Sequence, residues 1–357
     1  NGEADQHFFR VSASEFKKIP GSPIAYWGAK KLGRIYSQSN HLSEIADSIQ
    51  GMITGDNNRF LRRWFEVSRF CISLNKTSIQ EVDIKREYWV PYNKGGDVRK
   101  WFGNNEYVLD WRNEGKDLVR SRTKNASYYF RPCITWTFIS SSFFAARFCG
   151  QGFVWDVAGS SAFAKDKKNE NLILCLMCSK VGKHILDCIN PSLNYQVENI
   201  LDIPIIVGAY DYRESFDLIV SELKLLARTD WDNFETSWDF QDLPLLRENL
   251  KAKTLAETWA NWDRYCRDNI ARMKELEEEN NRLWIDAYGL QDELTPEVPE
   301  KEITLARADP RADMAAFISY AVGCMFGRFS LDASGLILAN QGETIEDYLK
   351  QVPEPSF

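Results

Sequence analysis

The rhythm of hydrophobic and polar positions changes along this chain. From Ile45 to about Ile206, short runs rich in β-branched and aromatic residues alternate with Gly, Asn and charged turns. That is the pattern of strands bounded by turn formers. Trp64–Val67, Tyr107–Trp111, Cys133–Ile139 and Gly152–Val157 read as strands. Asn171 to Ile189 reads as an apolar helix, with a strand at its start as the alternative. Beyond residue 210 Gly becomes scarce, and Leu255, Trp259, Trp262, Cys266, Ile270 and Met273 recur at spacings of three or four. Those positions share one face of a helix. If continuous from Arg247 to Tyr288, that helix would be about 60 Å long at ~1.5 Å per residue. Near the start, the prolines of Pro20-Gly21-Ser22-Pro23 make a turn, with helical spacing from Ala25 to Tyr36. Towards the end, Thr295-Pro296-Glu297-Val298-Pro299 reads as a linker. Asp309-Pro310 then supplies an N-cap and first-turn proline for a helix through Ala315, Ile318, Val322 and Met325.

The pattern predicts an α+β protein: a twisted mixed β-sheet domain followed by a mostly helical C-terminal region. Its expected parts are a lead-in segment (1–45), the sheet domain (46–209), a helical spacer (210–294) and a linker with a small helical segment (295–357). A chain of 357 residues is long enough for two or three units. The 44% hydrophobic and 27% charged residues are those of an ordinary globular protein. No apolar run near the start resembles a secretory signal. The longest apolar run, Met314 to Phe326, falls short of the ~20 residues needed to span a bilayer and reads as a buried helix. No membrane contact is expected.

Eight scattered cysteines suggest free thiols in a reducing compartment, hence a cytoplasmic location. Cys175, Cys178, His184 and Cys188 have a spacing that could in principle hold zinc. They are embedded in an apolar run, however, where cysteine behaves as a small hydrophobe, so no metal is expected.

The formal net charge of −7 argues against a polyanion partner until it is divided along the chain. Residues 51–150 hold 17 Lys/Arg against 10 Asp/Glu, whereas residues 210–300 hold 11 against 22. A phosphate footprint would fall in the first stretch. The acidic block Glu275 to Glu279 reads as a solvated helix face, repelled by DNA and suited to spacing or protein contacts.

The basic stretch contains Gly51-Met52-Ile53-Thr54-Gly55-Asp56-Asn57-Asn58-Arg59-Phe60, followed by Leu61-Arg62-Arg63-Trp64. Two glycines permit positive φ and close backbone approach, and the polar residues offer donors to phosphates and base edges. Trp89–Asp97 running into Trp101–Glu106, Tyr128–Phe130 running into Ile134–Trp136, and Phe234–Phe240 follow in order. Together, from Ile19–Trp27 to Phe317–Arg328, these segments resemble the C-terminal part of the PglX-type adenine-specific DNA methyltransferases of BREX and phage-growth-limitation defence systems. The Gly51–Phe60 loop is also similar to the TaqI-like specificity domain of type IIG restriction–methylation enzymes. The resemblance implies a target-recognition region for double-stranded DNA. It leaves open contacts with other defence subunits or with phage DNA-mimic inhibitors.

The family's Asn-Pro-Pro-Tyr motif and its Gly-rich S-adenosylmethionine loop have no counterpart. Asn190-Pro191-Ser192-Leu193 lacks the stacking aromatic and reads as a helix stop. The chain is therefore expected to be a fragment without catalytic residues or cofactor, S-adenosylmethionine belonging to a catalytic domain elsewhere in the protein. Three histidines (His7, His41, His184) stand in no catalytic motif, and the acidic pair Asp230 and Asp232 reads as solvent-exposed. Gly95-Gly96 beside Lys94 resembles a phosphate-cradling turn without nucleotide-loop spacing. Candidate phosphate contacts are Arg59, Arg62, Arg63, Lys94, Arg99 and Lys100. Asn57, Asn58, Asn104 and Asn105 are candidates for base edges, where an amide pairs both ways with adenine. Arg120, Arg122, Lys124 and Asn125 form a candidate readout loop, and Thr54, Asp56, Ser141 and Arg147 complete the set. Trp89, Trp101, Trp111 and Trp136 are expected in the core rather than stacked on bases. Two alternatives remain: the specificity domain of a type IIG enzyme, and a protein-interaction scaffold within a defence complex.

Overall fold

The computed structural model describes residues 12–23, 29–118, 123–139, 143–190 and 192–356. The chain begins with helices α1 (Ala13–Phe16) and α2 (Ala29–Gln38) and strands β1 (Asn40–His41) and β2 (Ala46–Ile49). Helix α3 (Asn57–Phe60) leads directly into β3 (Leu61–Arg63), followed by β4 (Trp89–Asn93), β5 (Tyr107–Asp110), β6 (Cys133–Trp136) and β7 (Ala146–Cys149). After β8 (Val154–Trp155) and β9 (Ser161–Ala164) come α4 (Glu170–Met177), α5 (Lys180–Ile189), α6 (Val197–Leu201) and β10 (Pro204–Ile205). Helices α7 (Arg213–Trp231), α8 (Leu255–Tyr288), α9 (Pro310–Met325) and α10 (Ile345–Gln351) complete the chain. The α+β class and the helical C-terminal region are as the pattern predicts.

The strands form two four-stranded sheets and a short ribbon rather than one sheet. One sheet is antiparallel, in the order β2-β9-β6-β7; the other runs β3-β5-β4-β8, with β4 and β8 parallel. β1 and β10 pair separately. The strand expected at Trp64–Val67 does not form: β3 lies just before it and ends at Arg63, and a 3-10 turn takes over at Trp64–Glu66. There Trp64 is buried, with its indole N–H bonded to the Thr236 carbonyl at 2.8 Å. The apolar run from Asn171 to Ile189 is two helices. Ser179 breaks it by accepting the Gly182 N–H at 3.0 Å and so capping α5. Helix α5 stops at Ile189, where the Asn-Pro sequence follows. The four tryptophans assigned to the core are all buried.

Helix α8 begins at Leu255, not Arg247, because Thr254 and Glu257 form a reciprocal capping box. Gly289, with φ +64°, ends it in the left-handed conformation. Its 34 residues span about 51 Å. The helix does not stand off from the sheet domain. Ile270, Met273, Leu276, Trp284 and Ile285 join one core with Ile134, Trp136 and Ala162 of the antiparallel sheet, the α4 face and α7. Phe216 of α7 stacks on Trp284 at 4.5 Å. Thus no break in packing accompanies the composition shift at residue 210.

The acidic block is only partly solvated. Glu277 is 2% exposed and accepts from Lys100 Nζ at 2.5 Å and from Trp101 Nε1 at 2.8 Å. A carboxylate can be buried there because both its charge and its lone pairs find partners. Asp230 departs from the solvent-exposed expectation as well: it is buried, 3.5 Å from Arg99, and accepts the Ala306 N–H at 2.9 Å. Burial raises its pKa, opposed by the Arg99 charge. At the C-terminal end, Asp309 caps α9 through the Arg311 and Ala312 N–H groups, as the Asp-Pro pair predicts. The Met314–Phe326 run is not buried throughout; Ile318, Met325 and Phe326 are exposed. Among the described residues, no helix is long and apolar enough to cross a membrane.

Candidate nucleic-acid interface

The Gly51–Phe60 loop is built between two anchors. At its start, Met52 is fully buried, and its backbone pairs with Trp155 O at 2.9 Å and Val157 N at 3.0 Å. A Cβ on Gly51 would meet the Trp155 and Asp156 backbone at 2.3 Å, so only glycine permits this approach. At its end, Phe60 and Leu61 enter the same core as Met52, with Val90, Tyr92, Leu109 and Trp155. Between the anchors, Gly55 turns the chain at φ +76°. Asp56 caps α3 by accepting the Arg59 N–H at 3.0 Å, and the buried Thr54 hydroxyl donates to Asn57 Oδ1.

This construction leaves Asp56, Asn57, Asn58, Arg59 and Arg63 exposed and Arg62 half-buried. Arg62 donates to the Asn58 and Leu61 carbonyls, both at 2.6 Å, which sets its guanidinium against the loop. Arg59 lies over the Phe60 ring at 4.7 Å and Arg63 near the Phe65 ring at 6.0 Å. Among the described residues, none of these three guanidinium groups has a carboxylate within 4.0 Å. They are preorganised cations without an internal counter-charge. Asn125 is brought to the same place, donating to the Gln50 carbonyl at 3.2 Å.

The other predicted contacts have different surroundings. Lys94 pairs with Asp156 at 2.6 Å, and Tyr92 bonds the same carboxylate oxygen at 2.8 Å. Arg99 is half-buried between Asp230 and the Trp231 ring. Lys100 is buried against Glu277, and Asn105 is only 7% exposed. Asn104, at φ +61°, spends its amide on the Gly95 and Asp97 carbonyls. Arg147 is 1% exposed and donates to Asn93 Oδ1 at 3.3 Å and Gly95 O at 2.7 Å. Burial pushes its guanidinium down to about 10. Lys100, Asn105 and Arg147 are therefore held inside the fold, not presented at its surface. Arg120, Arg122 and Ser141 lie outside the described residues, as does the side chain of Lys124.

The Gly95-Gly96 turn is not an open phosphate cradle. Its space is filled by the Ala158 backbone on one side and the Asn104 side chain on the other. Cys175, Cys178 and Cys188 are dispersed in the main core, and His184 lies 3.5 Å from Glu293.

Two features escape a reading of local sequence. The Phe234–Phe240 segment is a seat for the sheet domain: Trp64 bonds to Thr236, and Trp238 packs on Phe153 at 5.8 Å. The segment Arg328–Gln341 docks beside Arg62. Its contacts span some 270 residues of sequence, as in the Phe70 N–H to Asn340 Oδ1 bond of 2.8 Å. No local signal marks such a contact.

The chain is 37% identical over 97% of its length to the adenine-specific methyltransferase PglX of Lacticaseibacillus casei (strain Zhang). It is 29% identical over 94% of its length to the adenine-specific methyltransferase BrxX of Escherichia coli O9:H4 (strain HS). It spans only 30% and 28% of the length of these two relatives. The chain is thus homologous, along nearly its whole length, to part of the PglX-type adenine-specific methyltransferases, consistent with their C-terminal part. No family model matches it.

Proposed function

We propose that this region binds double-stranded DNA and selects the site at which the rest of the protein methylates adenine, within a phage-defence system. The observation that carries the reading is the trio Arg59, Arg62 and Arg63, without a carboxylate ion pair among the described residues and held on one loop and strand beside the exposed residues Asn57 and Asn58. The guanidinium groups suit phosphate oxygens, and the amides suit adenine edges in the major groove. The homology to adenine-specific methyltransferases supplies the reaction. Methyl transfer from S-adenosylmethionine, onto an adenine swung out of the stack, would fall to parts of the protein beyond this chain. Here the chain's own work is to clamp the duplex and fix its register. The test is duplex binding by the full-length protein over a range of salt. Each phosphate contact makes log K fall with log[salt] by ~0.9, so a steep negative slope is expected. Binding that is undetectable or indifferent to salt would remove the proposal.

A further inference from the structure

We infer that the DNA-binding surface continues beyond the loop into a groove whose second wall is the segment Arg328–Gln341, and that this groove holds phosphate backbone. The inference rests on the loop being a duplex-binding surface. The groove has a volume of about 640 Å³, with Arg62, Ser68 and Tyr88 on one side and Arg328, Asn340 and Gln341 on the other. It is continuous with the loop through Arg62, which is bonded to the Asn58 carbonyl.

The far wall is fixed to the near one by three hydrogen bonds. Arg69 N–H donates to Ala339 O at 3.1 Å, Phe70 N–H to Asn340 Oδ1 at 2.8 Å, and Gln341 N–H to Ser68 Oγ at 3.0 Å. Glu343 stiffens the same segment by accepting from the Ala339 and Asn340 backbones at 2.7 Å. Asn340 is thereby fully engaged and acts as a positioning residue, whereas Gln341 is exposed.

The electrostatics point to an anion. Arg328 is half-buried, 5.8 Å from the Trp64 ring and 5.6 Å from the Phe329 ring, with no carboxylate within 4.0 Å among the described residues. Burial lowers its pKa, only partly opposed by the more distant Glu235. Arg69, next in sequence to Ser68 of the groove, is likewise half-buried with no carboxylate within 4.0 Å among the described residues, and burial lowers its pKa, partly opposed by the more distant Asp239. The carboxylate lining the groove, Glu66, is exposed and is tied to the loop side by accepting the Arg63 N–H at 2.7 Å. Two chain segments have been brought together to hold arginines around a polar groove, with Glu235 and Asp239 only as more distant counter-charges. Partly desolvated cations of this kind are costly unless a counter-charge arrives, and duplex DNA on the adjoining loop would bring one.

The test uses the full-length protein and a labelled duplex titrated over a range of salt. Arg328→Met keeps the stem over Trp64 but removes the charge, Arg328→Lys keeps a charge, and Arg62→Ala reports on the loop. Arg328→Met is expected to lower affinity several-fold and to flatten the salt slope by about one contact. Arg328→Lys should retain most of the slope, and Arg62→Ala combined with Arg328→Met should lose about two contacts. A flattened slope for Arg62→Ala with Arg328→Met unchanged would overturn the groove and leave the loop standing. No change in either variant would overturn both. An unchanged duplex slope with lost binding of poly-glutamate in Arg328→Met would assign the groove to an acidic protein, and the inference would fall.

Discussion

Two groups of basic side chains, close in sequence and alike in type, have opposite surroundings. Arg59, Arg62 and Arg63 project from a loop and strand, and among the described residues no carboxylate lies within 4.0 Å of their guanidinium groups. Lys94, Arg99 and Lys100 are paired with Asp156, Asp230 and Glu277, and Arg147 is enclosed by Asn93 and Gly95. Both groups, of three and four cations, add to the positive balance of residues 51–150. The difference separates two functions within a basic stretch: holding the acidic helical region to the sheet domain, as Arg99 and Lys100 do, and, on the proposed function, facing an external anion. The acidic balance of residues 210–300 is explained in part by the first function, since Asp230 and Glu277 are internal counter-charges.

The comparison breaks most visibly if the buried group turns out to be dispensable. Lys100→Ala leaves Glu277 charged and unpaired in the interior, which typically costs ~3–5 kcal/mol. Denaturant unfolding should show that loss, and an unaltered midpoint with weakened DNA binding would move Lys100 to the interface. Gly51→Ala should have the next largest effect. Its Cβ would collide with the Trp155–Asp156 backbone, so a destabilisation of ~1–3 kcal/mol is expected from overpacking. A wild-type melting temperature in that variant would show that the loop is not anchored as described.

The loop arginines should behave in the opposite way. Arg62→Ala with Arg63→Ala should change stability by only ~0.5 kcal/mol or less, while flattening the salt slope of duplex binding by about two contacts. Loss of folding in that variant, seen by circular dichroism, would erase the distinction between the groups.

The smallest effect concerns His184, whose pKa is lowered by burial despite the Glu293 and Asp187 carboxylates. The folded state prefers the neutral ring, so its contribution is complete above the usual ~6.5 and is lost as pH falls through the folded value. His184→Gln should therefore flatten the decline of melting temperature between pH 7 and pH 5. A steeper decline would mean that the Glu293 contact outweighs burial.

Much of this was legible locally. The Asp309-Pro310 start of α9 and the left-handed stop at Gly289 follow from backbone chemistry that one or two residues determine. The Thr254–Glu257 capping box was equally readable, although hydrophobic spacing alone extends α8 back to Arg247. What local pattern cannot show is pairing at a distance. Glu277 looks solvated among its acidic neighbours, yet its partner Lys100 lies 177 residues earlier. The groove beside Arg62 depends on a segment that hydrophobic periodicity leaves featureless. The loop was legible because its polar residues lie between two apolar anchors, Met52 and Phe60. Which of its neighbours are external depends on tertiary contacts.

The most direct measurement compares the salt dependence of duplex binding for three forms of the full-length protein. These are the wild type, the triple variant Arg59→Ala/Arg62→Ala/Arg63→Ala, and Lys100→Met/Glu277→Gln, which removes a buried charge pair while keeping an acceptor for Trp101. The slope of log K against log[salt] should flatten by about three contacts in the triple variant and stay at the wild-type value in the buried pair. A wild-type slope in the triple variant, or a flattened one in the Lys100→Met/Glu277→Gln protein, would contradict the account.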